Sequence, residues 1–304
     1  MKSLILTTII SIIGLSAIAQ QEYSFTNYFE ANSFYNPAAT GTEGTQNITA
    51  LFRKQWAGFE GSPLTGGILY ENSLKELNMG LGGYVFMDQI GATTMNSLAV
   101  NYSYSLKLNE NHKLAFGIDA GADIYTTDYS RLTYWDGDVM FDDQKRTVAL
   151  PRLGVGVHYY TEKYHVGISV PRILSFNNES PMGISSQDLS STVSNYYLNA
   201  GYTFELNKDF DLQANVLGKY TQHVNPQGDI NVMATYKKII GLGLGYKSLG
   251  FASVYLQYSY EDVVTIGYAF DFTLSNVAKY SNGSHEVMVK YAIPSKKKNR
   301  ASMN

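Results

Sequence analysis

The sequence predicts an all-β fold, a transmembrane antiparallel β-barrel of about fourteen strands with periplasmic N- and C-termini. Three observations carry that reading. Between residues 48 and 293 the chain divides into short segments whose two faces differ in polarity, as barrel strands do. Tight polar turns alternate with longer connections, as the two rims of an outer-membrane barrel require. The chain also opens with an export signal.

That signal occupies residues 1–19. Lys2 supplies the positive end, Leu4 to Ile18 is an apolar run, and Ala17-Ile18-Ala19 is a small-x-small cleavage pattern. The apolar stretch is shorter than the ~20 residues of a spanning helix, which favours cleavage after Ala19. No Cys follows the site, so a lipoprotein anchor is excluded.

Residues 20–47 come before the first strand and are too aromatic for a solvated tail (Tyr23, Phe25, Tyr28, Phe29). They are expected either to plug the lumen or cover its periplasmic mouth, or to form a plain periplasmic arm. The barrel proper spans residues 48–293. Its strands are predicted at 48–56, 63–73, 77–88, 94–107, 112–125, 150–160, 163–170, 195–206, 210–221, 227–236, 239–248, 251–260, 263–273 and 284–293.

Alternation is clearest in residues 112–125. There Leu114, Phe116, Ile118 and Ile124 share one face, opposite Lys113, Gly117, Asp119 and Asp123. In the ninth strand Leu212, Ala214, Val216 and Tyr220 oppose Asp211, Gln213, Asn215 and Lys219. In the thirteenth, Ile266, Tyr268, Phe270 and Phe272 oppose Gly267, Ala269, Asp271 and Thr273. Tyr residues near strand ends (Tyr102, Tyr104, Tyr159, Tyr160, Tyr258, Tyr260) suit interfacial girdles.

Leu108-Asn109-Glu110-Asn111, Thr161-Glu162-Lys163, Asn207-Lys208-Asp209, Lys237-Lys238 and Glu261-Asp262 are the tight turns, assigned to the periplasmic rim. The long connections, residues 126–150 and 171–194, fall on the outer rim. Residues 294–304 form a basic periplasmic tail with Lys296, Lys297, Lys298 and Arg300.

Composition narrows function. The absence of Cys removes disulfides, thiolate metal sites and Cys nucleophiles. A net charge of −3 supplies no basic field for nucleic acid. The 25 Tyr and 27 Gly against 16% charged residues fit a barrel wall better than a sandwich core, which calls for more branched aliphatics.

The five His are far apart in sequence. His285 and Glu286 are adjacent in a strand, so they point to opposite faces. Asp128, Asp136, Asp138, Asp142 and Asp143 crowd one loop, but Asp136-Gly137-Asp138 lacks the spacing of an EF-hand. No catalytic constellation, metal site or cofactor is expected, and the protein reads as no enzyme.

Residues 36–41 read NPAATG and residues 51–63 read LFRKQWAGFEGSP. DQIG follows at 88–91, then PRLGVGVHYYTEKYHVGISVPRIL at 151–174, and GSHE at 283–286. In order and spacing these stretches resemble the PorP/SprF family of type IX secretion and gliding-motility proteins of Bacteroidetes, over essentially the whole mature chain. The motif positions are Asn36, Pro37, Gly41, Arg53, Gln55, Trp56, Gly58, Gly61, Pro63, Asp88, Gly91, Gly283, Ser284, His285 and Glu286. One departure is the basic tail, which follows the last strand where a barrel strand would end the chain.

The resemblance implies an integral outer-membrane protein needed for export or surface anchoring of cargo, such as adhesins, that carries a C-terminal signal domain. It also implies partners in the periplasmic ring lipoprotein complex and a peptidoglycan-binding component. Arg53 and Gln55 are expected on one strand face. An inward Arg53 needs a carboxylate, for which Asp119, Asp123, Asp211 or Glu205 is available. Trp56 is expected at the outer end of the first strand, in the interface belt, while Gly58, Gly61 and Pro63 read as turn residues. A barrel alone also suits a channel for a small solute, which is the alternative function.

Overall fold

The computed structural model describes residues 24–131, 145–173, 195–221 and 224–294. Among these residues fourteen strands close into one antiparallel barrel, each hydrogen-bonded to its sequence neighbours, with the first strand pairing the last. The strands are β1 (Gln46–Lys54), β2 (Leu64–Leu74), β3 (Met79–Ile90), β4 (Thr93–Lys107), β5 (Lys113–Asp128), β6 (Lys145–Tyr160), β7 (Tyr164–Val170), β8 (Asn195–Glu205), β9 (Phe210–Thr221), β10 (Gln227–Tyr236), β11 (Ile240–Lys247), β12 (Phe251–Tyr260), β13 (Val264–Thr273) and β14 (Ser284–Ile293). Most bounds fall within two or three residues of the periodicity. The exception is β6, which begins at Lys145 rather than 150 because it follows β5 out to the Asp128↔Lys145 pair.

We call the end holding Gln46 and Ile293 the near end and the opposite one the far end. Near-end turns are tight for local reasons. Asn109 Oδ1 accepts from the N–H of Asn111 and His112, and Asn207 Oδ1 accepts from those of Asp209 and Phe210. Lys237-Lys238 and Glu261-Asp262 all have left-handed backbone (φ 50–59°), the two-residue hairpin geometry that matches strand twist. The far end is less uniform than the sequence suggested. Two of its connections, Gly91-Ala92 and residues 248–250, are as tight as those at the near end, with positive φ at Gly91 and Gly250.

The wall sorts its faces as a membrane barrel must. Ile68, Val85, Val100, Ile118, Ile168, Leu242 and Leu244 are exposed on the outside, and closure leaves no unpaired strand edge for lipid to meet. Tyr104, Tyr258 and Tyr260 are exposed near the near end. Tyr160 differs: it faces the lumen, its ring stacked on His158 and its hydroxyl 3.0 Å from Ser105 Oγ. Neighbours on a strand point opposite ways, so Tyr159 and Tyr160 cannot both join a girdle.

 The lumen is filled by residues 24–40. Residues 25–29, 31 and 33–40 are buried, while Ser24, Glu30 and Asn32 are partly so. One helical turn, Asn32–Tyr35, and a 3-10 turn, Pro37–Ala39, give the segment its shape. Phe34 packs edge-on against Phe86 and Tyr84 of β3, with ring centroids 4.7 and 5.0 Å apart. Tyr35 meets Tyr197 and Phe29 meets Tyr255. These aromatics supply the apolar core that a barrel's own inward face lacks.

Candidate functional site

The motif residues gather into three places. The first is the seam where β1 and β14 close the barrel. Arg53 and Glu286 are cross-strand partners there, both pointing inward and both buried. Arg53 Nη2 lies 2.6 Å from Asp271 Oδ2 and Nη1 lies 3.3 Å from Glu286 Oε2. The filling segment completes the cluster. Thr26 N–H donates to Glu286 Oε2 (2.6 Å), and Asn27 N–H and Nδ2 donate to Glu286 Oε1 (2.8 and 2.9 Å). Arg53 Nη1 donates to Thr26 Oγ1, which itself donates to Asp271. Ser253 Oγ adds a 2.6 Å bond to Asp271.

One guanidinium thus faces two carboxylates, and backbone N–H groups of the segment satisfy what Arg53 leaves over. Buried charge persists only when it is paired and hydrogen-bonded in this way. Lys247 lies buried nearby, in register with Asp229 across β10 and β11. The expected partners of Arg53 were other carboxylates, and the structure corrects this. Asp119 instead takes Arg152 (3.0 Å) and Asp123 takes Arg172 (2.8 Å). Glu205 pairs with Lys163 at the exposed near rim, and Asp211 lies beside it in register.

The second place is the far-end rim. Gln55, Trp56, Gly58, Gly61 and Pro63 lie in the β1–β2 connection, and Gly283 precedes Ser284, the first residue of β14. Ala57 N–H donates to Gly283 O (2.7 Å), Asn282 N–H to Ala57 O (2.8 Å) and Trp56 N–H to Ser284 Oγ (3.1 Å). Gln55 N–H closes the loop on Pro63 O (3.0 Å), and Gly91 N–H reaches Gly61 O (3.0 Å). Trp56 therefore lies past the end of β1, with left-handed backbone, rather than within the strand. Gln55 also falls beyond β1, so strand parity does not place it on the face of Arg53. Gly283 needs its φ of 88°, and a Cβ there would meet the Phe270 ring at 2.5 Å.

The third place is the seat of the filling segment. Asn36 caps the Pro37–Ala39 turn by accepting from Ala38 N–H (3.0 Å), and its Nδ2 donates to Val157 O of β6 (3.1 Å). Gly117 of β5 lies against the backbone of Pro37 and Ala38 so closely that a Cβ would come 2.2 Å from Ala38 N. Gly41, at φ 71°, turns the chain out at the near end.

Asp88 and His285 stand apart from these groups. Asp88 accepts from Thr65 Oγ1 (2.5 Å), and His285 points outward to the Tyr268 hydroxyl (2.7 Å).

Sequence reasoning missed Thr26, Asn27, Asp271 and Lys290. Lys290 Nζ binds Glu30 (3.1 Å) and Glu43 (2.7 Å), and Asn47 Nδ2 of β1 donates to Glu43 (2.8 Å). Strand parity marks Asp271 and Lys290 as inward, but nothing local says what they meet. Among the described residues no three metal-ligating side chains converge. Asp136, Asp138, Asp142 and Asp143 lie outside the described residues. A cleft of about 560 Å³ opens at the near mouth, lined by Glu43, Lys75, Lys107, Lys113 and Tyr160 among others. The arrangement holds the N-terminal segment against the barrel wall.

A family model described as type IX secretion system membrane protein PorP/SprF matches residues 17–291. No curated protein matches the chain. Among solved structures, the barrel is similar to the outer membrane protein Omp33 of Acinetobacter baumannii, at 8% identity, covering 82% of this chain and 98% of that one, with a TM-score of 0.50. It is also similar to the toluene transporter TbuX of Ralstonia pickettii, at 11% identity, covering 85% and 92%, with a TM-score of 0.51. At such identities the likeness speaks for the fold alone.

Proposed function

Because the chain belongs to the PorP/SprF family of type IX secretion system membrane proteins, we propose that it is a non-enzymatic, non-conducting outer-membrane component of that machinery. In this reading it supports export or surface anchoring of cargo such as adhesins, and the cargo does not pass through its lumen. The observation that carries the non-conducting part is the lumen itself, occupied by the largely buried residues 25–40 and fastened through Glu286, Arg53 and Lys290. The alternative, a small-solute channel, needs an open path, which this packing opposes.

The near end, with its tight turns and both ends of the strand array, faces the periplasm in this proposal. The ring lipoprotein complex and the peptidoglycan-binding component would be met there, with cargo at the far rim. Residues 1–19 are a cleaved signal peptide. Family membership supports the machinery, and the tight turns at the near end support the orientation.

Deletion of the gene, with complementation, tests the role by locating cargo on the cell surface and in the medium. The proposal expects surface cargo to fall and to return with the complementing gene. Unchanged export and display would overturn it.

A further inference from the structure

Both charged side chains within residues 24–45, Glu30 and Glu43, bind Lys290 of β14. Glu43 also takes Asn47 of β1. Farther along the same seam, Glu286 of β14 takes the Thr26 and Asn27 backbone N–H groups, while Arg53 of β1 binds Thr26 Oγ1. Two polar clusters, one in each half of the barrel's height, thus join the filling segment to the two strands that meet last in chain order. Elsewhere the segment touches the wall through aromatic packing and single hydrogen bonds, among them Ser24 to Asp229, Gly41 N–H to Glu71, Asn36 to Val157 O, Ser103 to Thr40 O and Ser169 to Tyr35 O.

The segment also threads the barrel. Ser24 reaches Asp229, near the far end of β10, whereas Gly41 leaves beside Gly80 at the near end of β3. Between them, Phe25, Tyr28, Phe29, Phe34 and Tyr35 are locked among wall side chains and leave no clearance for passage through a finished ring.

We propose that the barrel closes around its own N-terminal segment: the segment docks on the open sheet, and the β1–β14 seam zips afterwards, completed by Glu286 and Lys290 acting on it. Without the segment, Glu286 loses three donors at 2.6–2.9 Å and keeps its 3.3 Å contact with Arg53, and Lys290 loses both carboxylates that it binds, Glu30 and Glu43. With it, Glu286 and Lys290 both have close partners. The segment is therefore an assembly element, and the seam is the last part of the wall to become stable.

The order of events is measurable in the full chain because it has no native Cys. One variant, Ala50→Cys with Val289→Cys, places thiols at registered partners on the lipid-facing side of the seam, so that a short bis-thiol reagent reports closure. A second, Ala31→Cys, places a thiol in the buried segment, so that protection from maleimide reports docking. Urea-denatured chain is refolded into detergent-lipid micelles and sampled over time.

Protection at position 31 is expected before or together with seam cross-linking. Glu286→Gln and Lys290→Met are expected to slow cross-linking severalfold. A seam that cross-links fully while position 31 still reacts would overturn the proposal. So would cross-linking in Glu286→Gln and Lys290→Met at the original rate. The ordering experiment needs neither substitution, so a variant that fails to fold leaves it decisive. None of these outcomes depends on the part the protein plays in secretion.

Discussion

Replacing Arg53 and Glu286 together by apolar residues separates an ordinary buried ion pair from a contact that fastens the lumen segment. Glu286 accepts from Thr26 N–H, Asn27 N–H and Asn27 Nδ2 at 2.6, 2.8 and 2.9 Å, all closer than its 3.3 Å contact with Arg53. Either single change, Arg53→Met or Glu286→Leu, breaks a buried pair and should cost ~3–5 kcal/mol. If the pair did no more than join two strands, the double variant would recover nearly all of this, since well-packed apolar substitutes for buried ion pairs are often neutral.

Here the double variant leaves the Thr26 and Asn27 N–H groups and Asn27 Nδ2 buried without their acceptor, and Asp271 without its 2.6 Å guanidinium partner. The two N–H groups alone, at ~1–3 kcal/mol each, should keep it ~2–6 kcal/mol or more below the parent. The assay is urea unfolding in lipid micelles, followed by the mobility difference between heated and unheated protein on detergent gels. Recovery of the double variant to within ~1 kcal/mol of the parent would refute the reasoning.

Three further outcomes follow from the same contacts. Gly117→Val should displace the lumen segment, because even its Cβ would press on Ala38 N at 2.2 Å; limited proteolysis should then cut within residues 24–45, while Gly228→Ala, with nothing within 4 Å, should leave the pattern unchanged. Asn36→Ala should cost ~1–3 kcal/mol in the same unfolding assay, since it removes a turn cap and orphans Val157 O or Ala38 N–H. Gly283→Ala should destabilise the far rim by ~1–3 kcal/mol through its φ of 88° and its contact with Phe270, seen as faster hydrogen exchange at Ala57 and Asn282.

The strands were legible because a period of two survives in a wall that separates lipid from lumen: Ile118 outside and Asp119 inside need only be neighbours. Near-end turns were legible for a similar reason, since Asn109 and Asn207 act on residues two and three positions away. Arg53 marks the boundary. Its inward direction follows from local alternation, but its partners Asp271 and Glu286 reach it only when the last two strands come round to the first. Asp119 and Asp123, equally plausible by face, are claimed by Arg152 and Arg172 closer by. Trp56 illustrates a different limit, where a left-handed turn one residue past Gln55 ends the strand early. Thr26 and Asn27 were hidden for another reason: their closest bonds to Glu286 include backbone N–H groups that every residue but proline carries, and their side chains meet partners more than 200 positions away or across the barrel.

The central claim is that this barrel is shut by its own chain, and single-channel recording on purified full-length protein in planar bilayers tests it most directly. The account predicts an electrically silent membrane for the parent protein. Sustained, stepwise conductance from the parent, at the same protein density and with residues 24–45 intact, would contradict it.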